Sequence, residues 1–140
     1  MVALLVLSVG MIGIAALHGQ SLAATRTAIF RSRAINLAGD VTDRIRLNRT
    51  AQLAYEGAAA DNDCDAPTSS GGVGCTPVQM AAHDLFSWQA LVAESLPGGQ
   101  SAIDVDTATN PTTYTVAISW DEVTQDSPVS FEVTFQLPVY

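Results

Sequence analysis

The amino-acid sequence predicts an α+β fold, in which a long N-terminal α-helix packs on a three-stranded antiparallel sheet and a second helix lies in the connecting region. Three observations support this prediction. An apolar run opens the chain and continues, without a proline, into a one-sided apolar stripe. A second stripe at helical spacing follows, between a start signal and a stop signal. The C-terminal part then alternates apolar and polar residues, as half-buried strands do.

Charge is distributed very unevenly along the 140 residues. Residues 1–25 contain no Lys, Arg, Asp or Glu. All six basic residues are arginines within residues 26–49, which carry a net charge of +4, whereas residues 50–140 carry −12. A C-terminal region this acidic repels phosphate groups, so the composition disfavours binding to nucleic acid.

The first 24 residues are apolar enough to cross a membrane or to lie in the hydrophobic core of a filament. A cleaved secretory signal, a fully buried helix and a retained anchor are the three interpretations. A signal peptide requires a basic residue before its apolar run, and none is present here. The rest of the chain is too small to bury an apolar helix of this length. We favour an anchor that uses Val2, Leu4, Leu5, Val6, Leu7, Val9, Met11, Ile12, Ile14 and Leu17.

Residues 25–55 contain no proline and are predicted to continue the same helix as its amphipathic half. Asp40 with Arg44 and Asp43 with Arg46 have the spacing of helical ion pairs on a solvated face. The apolar residues recur every three or four positions and form one stripe: Phe30, Ala34, Leu37, Val41 and Ile45.

Residues 56–140 are predicted to form a globular head that begins with a loop rich in Gly, Ala, Asp and Ser. Cys64 and Cys75 bracket the second half of this loop. With the head outside the cytoplasm, they are most simply a disulfide that closes the loop 64–75, rather than a metal site or a redox pair.

The sequence Asp61-x-Asp63-x-Asp65 has the opening spacing of a calcium loop. However, Ala66 stands where that loop needs a glycine, and Gly72 where it needs a bidentate glutamate. We therefore interpret these residues as a solvated acidic loop and predict neither a metal nor a cofactor.

Thr76, Pro77 and Gln79 form the start signal of a helix over residues 76–96, which Pro97-Gly98-Gly99 ends. His83 falls opposite the apolar stripe of this helix and is predicted to be a surface residue. No nucleophile or ligand cluster accompanies it, so we predict no catalytic residues. The stripe itself consists of Ala81, Leu85, Trp88, Val92 and Leu96.

Three strands are predicted at about residues 101–106, 113–120 and 130–137. The connections between them are too short for crossover helices, so the sheet should be an antiparallel meander. Its apolar face requires a cover, which the stripe of the first helix can provide.

This order of parts resembles a type IV pilin and, more closely, the minor pilins called type IV pilus modification protein PilV. The specific motifs are Cys75-Thr76-Pro77-x-Gln79-Met80-Ala81-Ala82-x-Asp84-Leu85-x-x-Trp88 and Leu96-Pro97-Gly98-Gly99. The apolar helix, LAGDVTDRIRLNR in residues 37–49 and Tyr114-Thr115-Val116-x-Ile118-Ser119-Trp120 are also similar.

The resemblance implies a filament subunit that waits in the bacterial inner membrane as a single-pass protein with a periplasmic head, and is then assembled into a surface pilus. It implies partners among the other major and minor pilins, the pilus tip protein and the inner-membrane assembly platform, and a role in assembly, twitching motility and adhesion. We further expect the arginines to face acidic heads of adjacent subunits: Arg26, Arg31, Arg33, Arg44, Arg46 and Arg49.

The sequence departs from pilins at its start, where a basic leader, a cleavage glycine and an early glutamate normally precede the apolar stretch. Either the sequence begins at an internal methionine of a longer chain, or this protein is not processed and docked in the usual way; we expect the first. A pseudopilin of a type II secretion system is the alternative function, and a secreted enzyme is a third. The disulfide loop and the CTPxQ helix argue against a pseudopilin, and the lack of a nucleophile motif argues against an enzyme.

Overall fold

The computed structural model describes residues 2–65, 74–123 and 125–137. Helix α1 is followed by a 3₁₀ helix, helix α2 and three strands, which confirms the α+β prediction. The chain divides into two compact units, Met1–Ser32 and Arg33–Tyr140. The elements are α1 (Val2–Leu47), the 3₁₀ helix (Arg49–Glu56), α2 (Pro77–Ser95), β1 (Gln100–Asp106), β2 (Thr112–Trp120) and β3 (Val129–Leu137).

The three strands form the predicted antiparallel meander, in the order β1-β2-β3. Ile103 lies opposite Val116, and Val116 lies opposite Val133, so these apolar residues share one face. Tyr114 stacks on Phe135 across the second ladder, with ring centroids 5.3 Å apart. The register therefore places the alternating residues on one inner face, as their period of two requires.

The core of the second unit lies between the two helices and this inner face. The predicted stripe residues Ala34, Val41 and Ile45 of α1 are buried. The Trp88 indole of α2 is fully buried and donates a hydrogen bond to the Leu37 carbonyl, 2.9 Å away. Arg46 lies 5.4 Å from the centre of the Phe135 ring, so the end of α1 contacts β3.

The inner face of β3 is less covered than that of β2. Val116 and Ile118 of β2 are completely buried, whereas Phe131, Val133 and Phe135 of β3 are only half-buried. Because β3 is an edge strand, it has a neighbouring strand on one side only.

The first helix is shorter than predicted. We expected one α-helix through Tyr55, but α1 ends at Leu47 and the chain continues as the 3₁₀ helix. The Asn48 side-chain amide donates to the Pro77 carbonyl at 2.8 Å, and the Tyr55 hydroxyl oxygen lies 3.3 Å from the Arg44 carbonyl. These tertiary contacts hold the chain out of α-helical geometry, although no local proline or glycine ends the helix.

A tight corner joins α2 to β1. Thr76 caps the start of α2 in a capping box with Gln79, and the helix ends with Leu96 as its C-cap. Gly98 has a positive φ of 60°, and a side chain there would overlap the Asp121 carboxylate. Glycine is therefore required at position 98, because the backbone has a positive φ and because no room is left for a side chain.

Candidate functional site

The first unit is an apolar helical surface without a protein partner within the described part of the chain. Val2, Val6 and Val9 are 75%, 69% and 71% exposed, and the other described anchor residues are similar. The side chains of Leu4 and Leu5, predicted to belong to the same surface, lie outside the described residues. The others are Leu7, Met11, Ile12, Ile14 and Leu17.

By length and composition, one described helix qualifies as a membrane span. The stretch Val6–Leu47 contains an 18-residue segment with a mean hydropathy of 1.5, and no part of that segment is buried inside the protein. Exposed aliphatic side chains in such numbers are costly in water, so this surface requires lipid or other apolar helices around it.

The six arginines proposed for subunit contacts occupy four different environments, and Arg44 has one of its own. Among the described residues, Arg26 and Arg31 of the first unit have no hydrogen bond or ion pair. Arg33 donates to the Ser95 carbonyl at 3.0 Å and so joins α1 to the end of α2. Arg49 donates to the Arg46 carbonyl, and Arg46 pairs with Asp43 at 3.2 Å on an exposed surface.

Arg44 makes contacts within the head that its spacing did not predict. Its guanidinium pairs with Asp40 at 3.1 Å, as the spacing predicted, but it also reaches Asp84 at 3.2 Å and the Ser87 hydroxyl at 3.0 Å. Asp84 accepts a further hydrogen bond of 2.8 Å from the Tyr55 hydroxyl. Burial, followed by this hydrogen bond, raises the pKa of Tyr55 above its ordinary value.

This Arg44–Asp84–Tyr55 network connects α1, the 3₁₀ helix and α2. Arg44 therefore stabilises the interior of its own head, because Asp84 is only 8% exposed. A contact of Arg44 with another subunit stays a prediction.

The disulfide predicted between Cys64 and Cys75 is present, with a Cα–Cα distance of 5.7 Å. It joins the loop after the 3₁₀ helix to the residue that precedes the Thr76 cap of α2. The backbone N–H of Ala60 donates to the Ala82 carbonyl at 3.0 Å, so the same loop also lies along α2.

The position of His83 was predicted wrongly. It is 7% exposed rather than a surface residue, because the acidic loop packs over it. Its Nε2 atom lies 3.1 Å from Asp65, and its Nδ1 atom lies 3.2 Å from Asp61. A hydrogen bond to Asp65, the largest effect, and the nearby carboxylates raise the pKa of His83, although burial opposes the change.

The loop residues Asp61 and Asp65 were interpreted as merely solvated, and their contacts with His83 refine that view. No side chain but His83 links them to α2 by charge, and the described residues contain no group of three or more metal-ligating side chains. The only signal in the sequence was a histidine in a helix that follows a run of three alternating aspartates.

A long helix with an exposed apolar N-terminal surface, leading into a disulfide-bearing α+β head, defines a filament-forming, pilin-like protein. A family model described as Tt1218-like, Type IV pilin Tt1218, matches residues 16–86, half of the chain. The chain belongs to this family of type IV pilins. No curated protein and no solved structure gave a significant match.

Membership of a type IV pilin family implies association with other pilins in a pilus, and such proteins are in general structural rather than enzymatic. The matched residues include the second part of α1, the 3₁₀ helix, the disulfide segment and the first half of α2. They end before the sheet, whose assignment rests on the structure itself.

Proposed function

We propose that this chain is a minor pilin similar to the PilV proteins. It is incorporated into the pilus through its N-terminal helix and promotes assembly of the pilus and of its tip complex. One observation carries this proposal: the described apolar side chains within residues 2–17 are exposed on a stretch of α1 that contains no charged residue. Such a surface can exchange lipid for neighbouring helices at little net cost, because both environments are apolar. Effects on twitching motility and adhesion follow from pilus assembly.

Residues 1–24 are proposed as the membrane and filament segment, residues 25–55 as the segment that supports the head, and residues 56–140 as the head. Before assembly the chain is proposed to cross the inner membrane once, with its head in the periplasm. Its partners are then the assembly platform, other major and minor pilins, and a tip protein.

Two arguments about membrane orientation disagree. The arginines of residues 26–49 follow the apolar span and, counted alone, favour a cytoplasmic location for that end. The Cys64–Cys75 disulfide favours an oxidising compartment, which the periplasm provides. We give the disulfide more weight, because a thiol pair in the cytoplasm would be kept reduced whereas a basic flank only biases insertion.

A pseudopilin of a type II secretion system remains the alternative, since it would use the same helix and head in another machine. The two functions differ in where the chain accumulates. A minor pilin is released with sheared surface pili, whereas a pseudopilin affects the secretion of soluble exoproteins.

The test is a deletion of the gene in its source bacterium, followed by complementation with the complete reading frame. An antibody against the head measures the chain in sheared pili, electron microscopy counts surface pili, and immunoblots measure a secreted exoprotein. We expect fewer pili after deletion, the chain in the sheared fraction after complementation, and unchanged secretion. Loss of secretion with normal piliation would reject the minor pilin in favour of the pseudopilin.

Val9→Asp provides a matched variant, because Val9 is 71% exposed in the centre of the apolar surface. A carboxylate at mid-membrane costs about 3 kcal/mol, so this variant should fail to complement. Val9→Ala removes volume without adding charge and should restore piliation. Complementation by Val9→Asp would show that the apolar surface is not the part that enters membrane or filament.

A further inference from the structure

His83 is enclosed by groups that cannot all bond to it in one protonation state. Its Nε2 atom faces Asp65 Oδ2 at 3.1 Å. Its Nδ1 atom faces two partners, the Asn62 backbone N–H at 3.3 Å and Asp61 Oδ1 at 3.2 Å. The N–H requires an unprotonated Nδ1 that accepts, whereas the carboxylate requires a protonated Nδ1 that donates.

The two protonation states of the imidazole therefore select different partners. Neutral His83 with its proton on Nε2 donates to Asp65 and accepts from Asn62. Protonated His83 donates to Asp65 and to Asp61, which makes both bonds charge-assisted and stronger. The Asp61 carboxylate also accepts the Asp63 N–H at 3.1 Å, so the change acts on the backbone turn of the loop.

Other contacts hold the same loop against α2 in both states. The Ala60 N–H donates to the Ala82 carbonyl, and the Asn62 side-chain amide donates to the Gln79 carbonyl at 2.9 Å. The disulfide from Cys64 to Cys75 ties the end of the loop to the start of α2. The loop therefore lies against α2 in either protonation state of His83. Protonation of His83 changes how strongly its imidazole binds the aspartates of the loop.

We propose that His83 is a proton-operated latch: its protonation replaces Asn62 by Asp61 as the partner of Nδ1 and fastens residues 61–65 to α2. The latch goes beyond the pilin role and does not depend on it. It supplies the head with a loop whose order and local charge depend on the acidity of the surrounding medium.

The charged groups around the latch are all acidic. Asp61 and Asp65 come from the loop, and Asp84 is the next residue on α2. The Arg44 guanidinium of α1, which is paired with Asp84, is also paired with Asp40. The surroundings therefore favour the imidazolium, in agreement with the raised pKa of His83.

The direction of the pH dependence follows from the raised pKa of His83. Because the pKa of His83 is higher in the folded chain than its ordinary 6.5, the latch is fastened below pH 6.5 and is released as the pH rises through the folded value.

NMR titration of the full chain in detergent micelles tests the latch. The imidazole signals of His83 are assigned with His83→Gln, since His18 is the other histidine. We expect the His83 midpoint above pH 6.5 and the Asn62 amide shift to follow the same midpoint. A His83 midpoint at or below 6.5, or an Asn62 amide that does not titrate, would overturn the proposal without any variant.

Three aspartate-to-asparagine variants separate direct contact from general charge. Asp65→Asn should lower the His83 midpoint most, and Asp61→Asn should lower it less, because the hydrogen bond to Asp65 is the larger effect. Asp63→Asn is the matched control: it removes the same charge from the same loop, and asparagine tolerates the positive φ of 50° at this position. An equal shift in Asp63→Asn and Asp61→Asn would show that loop charge, rather than the latch geometry, sets the midpoint.

Discussion

At the scale of single residues, the buried carboxylate of Asp84 joins three elements of the head. Its carboxylate accepts hydrogen bonds from Arg44 of α1 and from Tyr55 of the 3₁₀ helix, and its side chain is only 12% exposed. Burial of a carboxylate is costly unless donors satisfy it, and both donors come from other elements. The network therefore adds to the hydrogen bonds of Trp88 and Arg33 that also join the two helices.

We expect Asp84→Asn to destabilise the head by about 2 kcal/mol, since it removes a charged partner from a partly buried guanidinium while it keeps the shape. Urea unfolding of the full chain in detergent, followed by tryptophan fluorescence, measures the free energy of unfolding. Trp88 and Trp120 are the only tryptophans and both lie in the head, so the signal reports on this unit.

Asp43→Asn is the control for this measurement. Asp43 also pairs with an arginine of α1, but its side chain is 73% exposed, and an exposed pair contributes less than about 1 kcal/mol. Equal losses for the two variants would show that burial of Asp84 does not distinguish it from a surface aspartate.

The polar contacts divide into those that local spacing could predict and those that it could not. Asp40 with Arg44 and Asp43 with Arg46 are one helical turn apart, so sequence spacing alone identified them. Arg44 and Asp84 are 40 residues apart, and their contact depends on how α2 packs. The burial of His83 was missed for the same reason, because a loop from another part of the chain covers it.

At the scale of elements, the corner after α2 shows why a Leu-Pro-Gly-Gly motif ends this helix. The Gly99 N–H donates to the Leu96 carbonyl at 3.0 Å, and the Asp121 N–H donates to the Pro97 carbonyl at 2.8 Å. The corner thus connects the end of α2 both to β1 and to the residue after β2. A conformation available mainly to glycine is needed at its centre, where Gly98 has a positive φ.

We expect Gly98→Ala to lower the free energy of unfolding by about 1–3 kcal/mol, because alanine is strained at this φ and its Cβ would overlap the Asp121 carboxylate. Gly39→Ala is expected to act in the opposite direction. Gly39 lies in α1, and no atom is near the Cβ that alanine would add. Alanine at this position should therefore raise the free energy of unfolding by about 0.5–1 kcal/mol. The same urea experiment measures both, and a neutral Gly98→Ala would mean that the corner can relax without cost.

The elements with their own start and stop signals were predicted well. Thr76, Pro77 and the glycine corner bound α2 within a residue or two, and strict alternation gave β2 and its inner face. The end of α1 was predicted too late, because residues 48–56 have no helix-breaking residue and their 3₁₀ geometry comes from contacts with α2. The partial exposure of β3 was likewise absent from its alternating pattern, which matches that of β2.

At the scale of the whole molecule, the two units have opposite electrostatic character. The first unit carries the cations Arg26 and Arg31, for which the described residues offer no partner, whereas the second unit, residues 33–140, has a net charge of −10. In a filament, the heads of neighbouring subunits are a source of carboxylates for these two arginines. We therefore propose that Arg26 and Arg31 contact acidic heads of adjacent subunits and set the register between them.

We expect the double variant Arg26→Glu and Arg31→Glu to reduce incorporation into pili at least about tenfold, since a like-charge contact between subunits costs more than the ~1.4 kcal/mol that a tenfold change requires. Incorporation is the immunoblot ratio of the chain in sheared filaments to the chain in whole cells, so altered expression cancels. Arg26→Lys with Arg31→Lys keeps both charges and should incorporate normally. Because both substitutions lie outside the head, tryptophan fluorescence should report an unchanged free energy of unfolding. Unchanged incorporation of the glutamate variant would show that these arginines do not contact acidic heads, and assembly would then depend on the apolar surface alone.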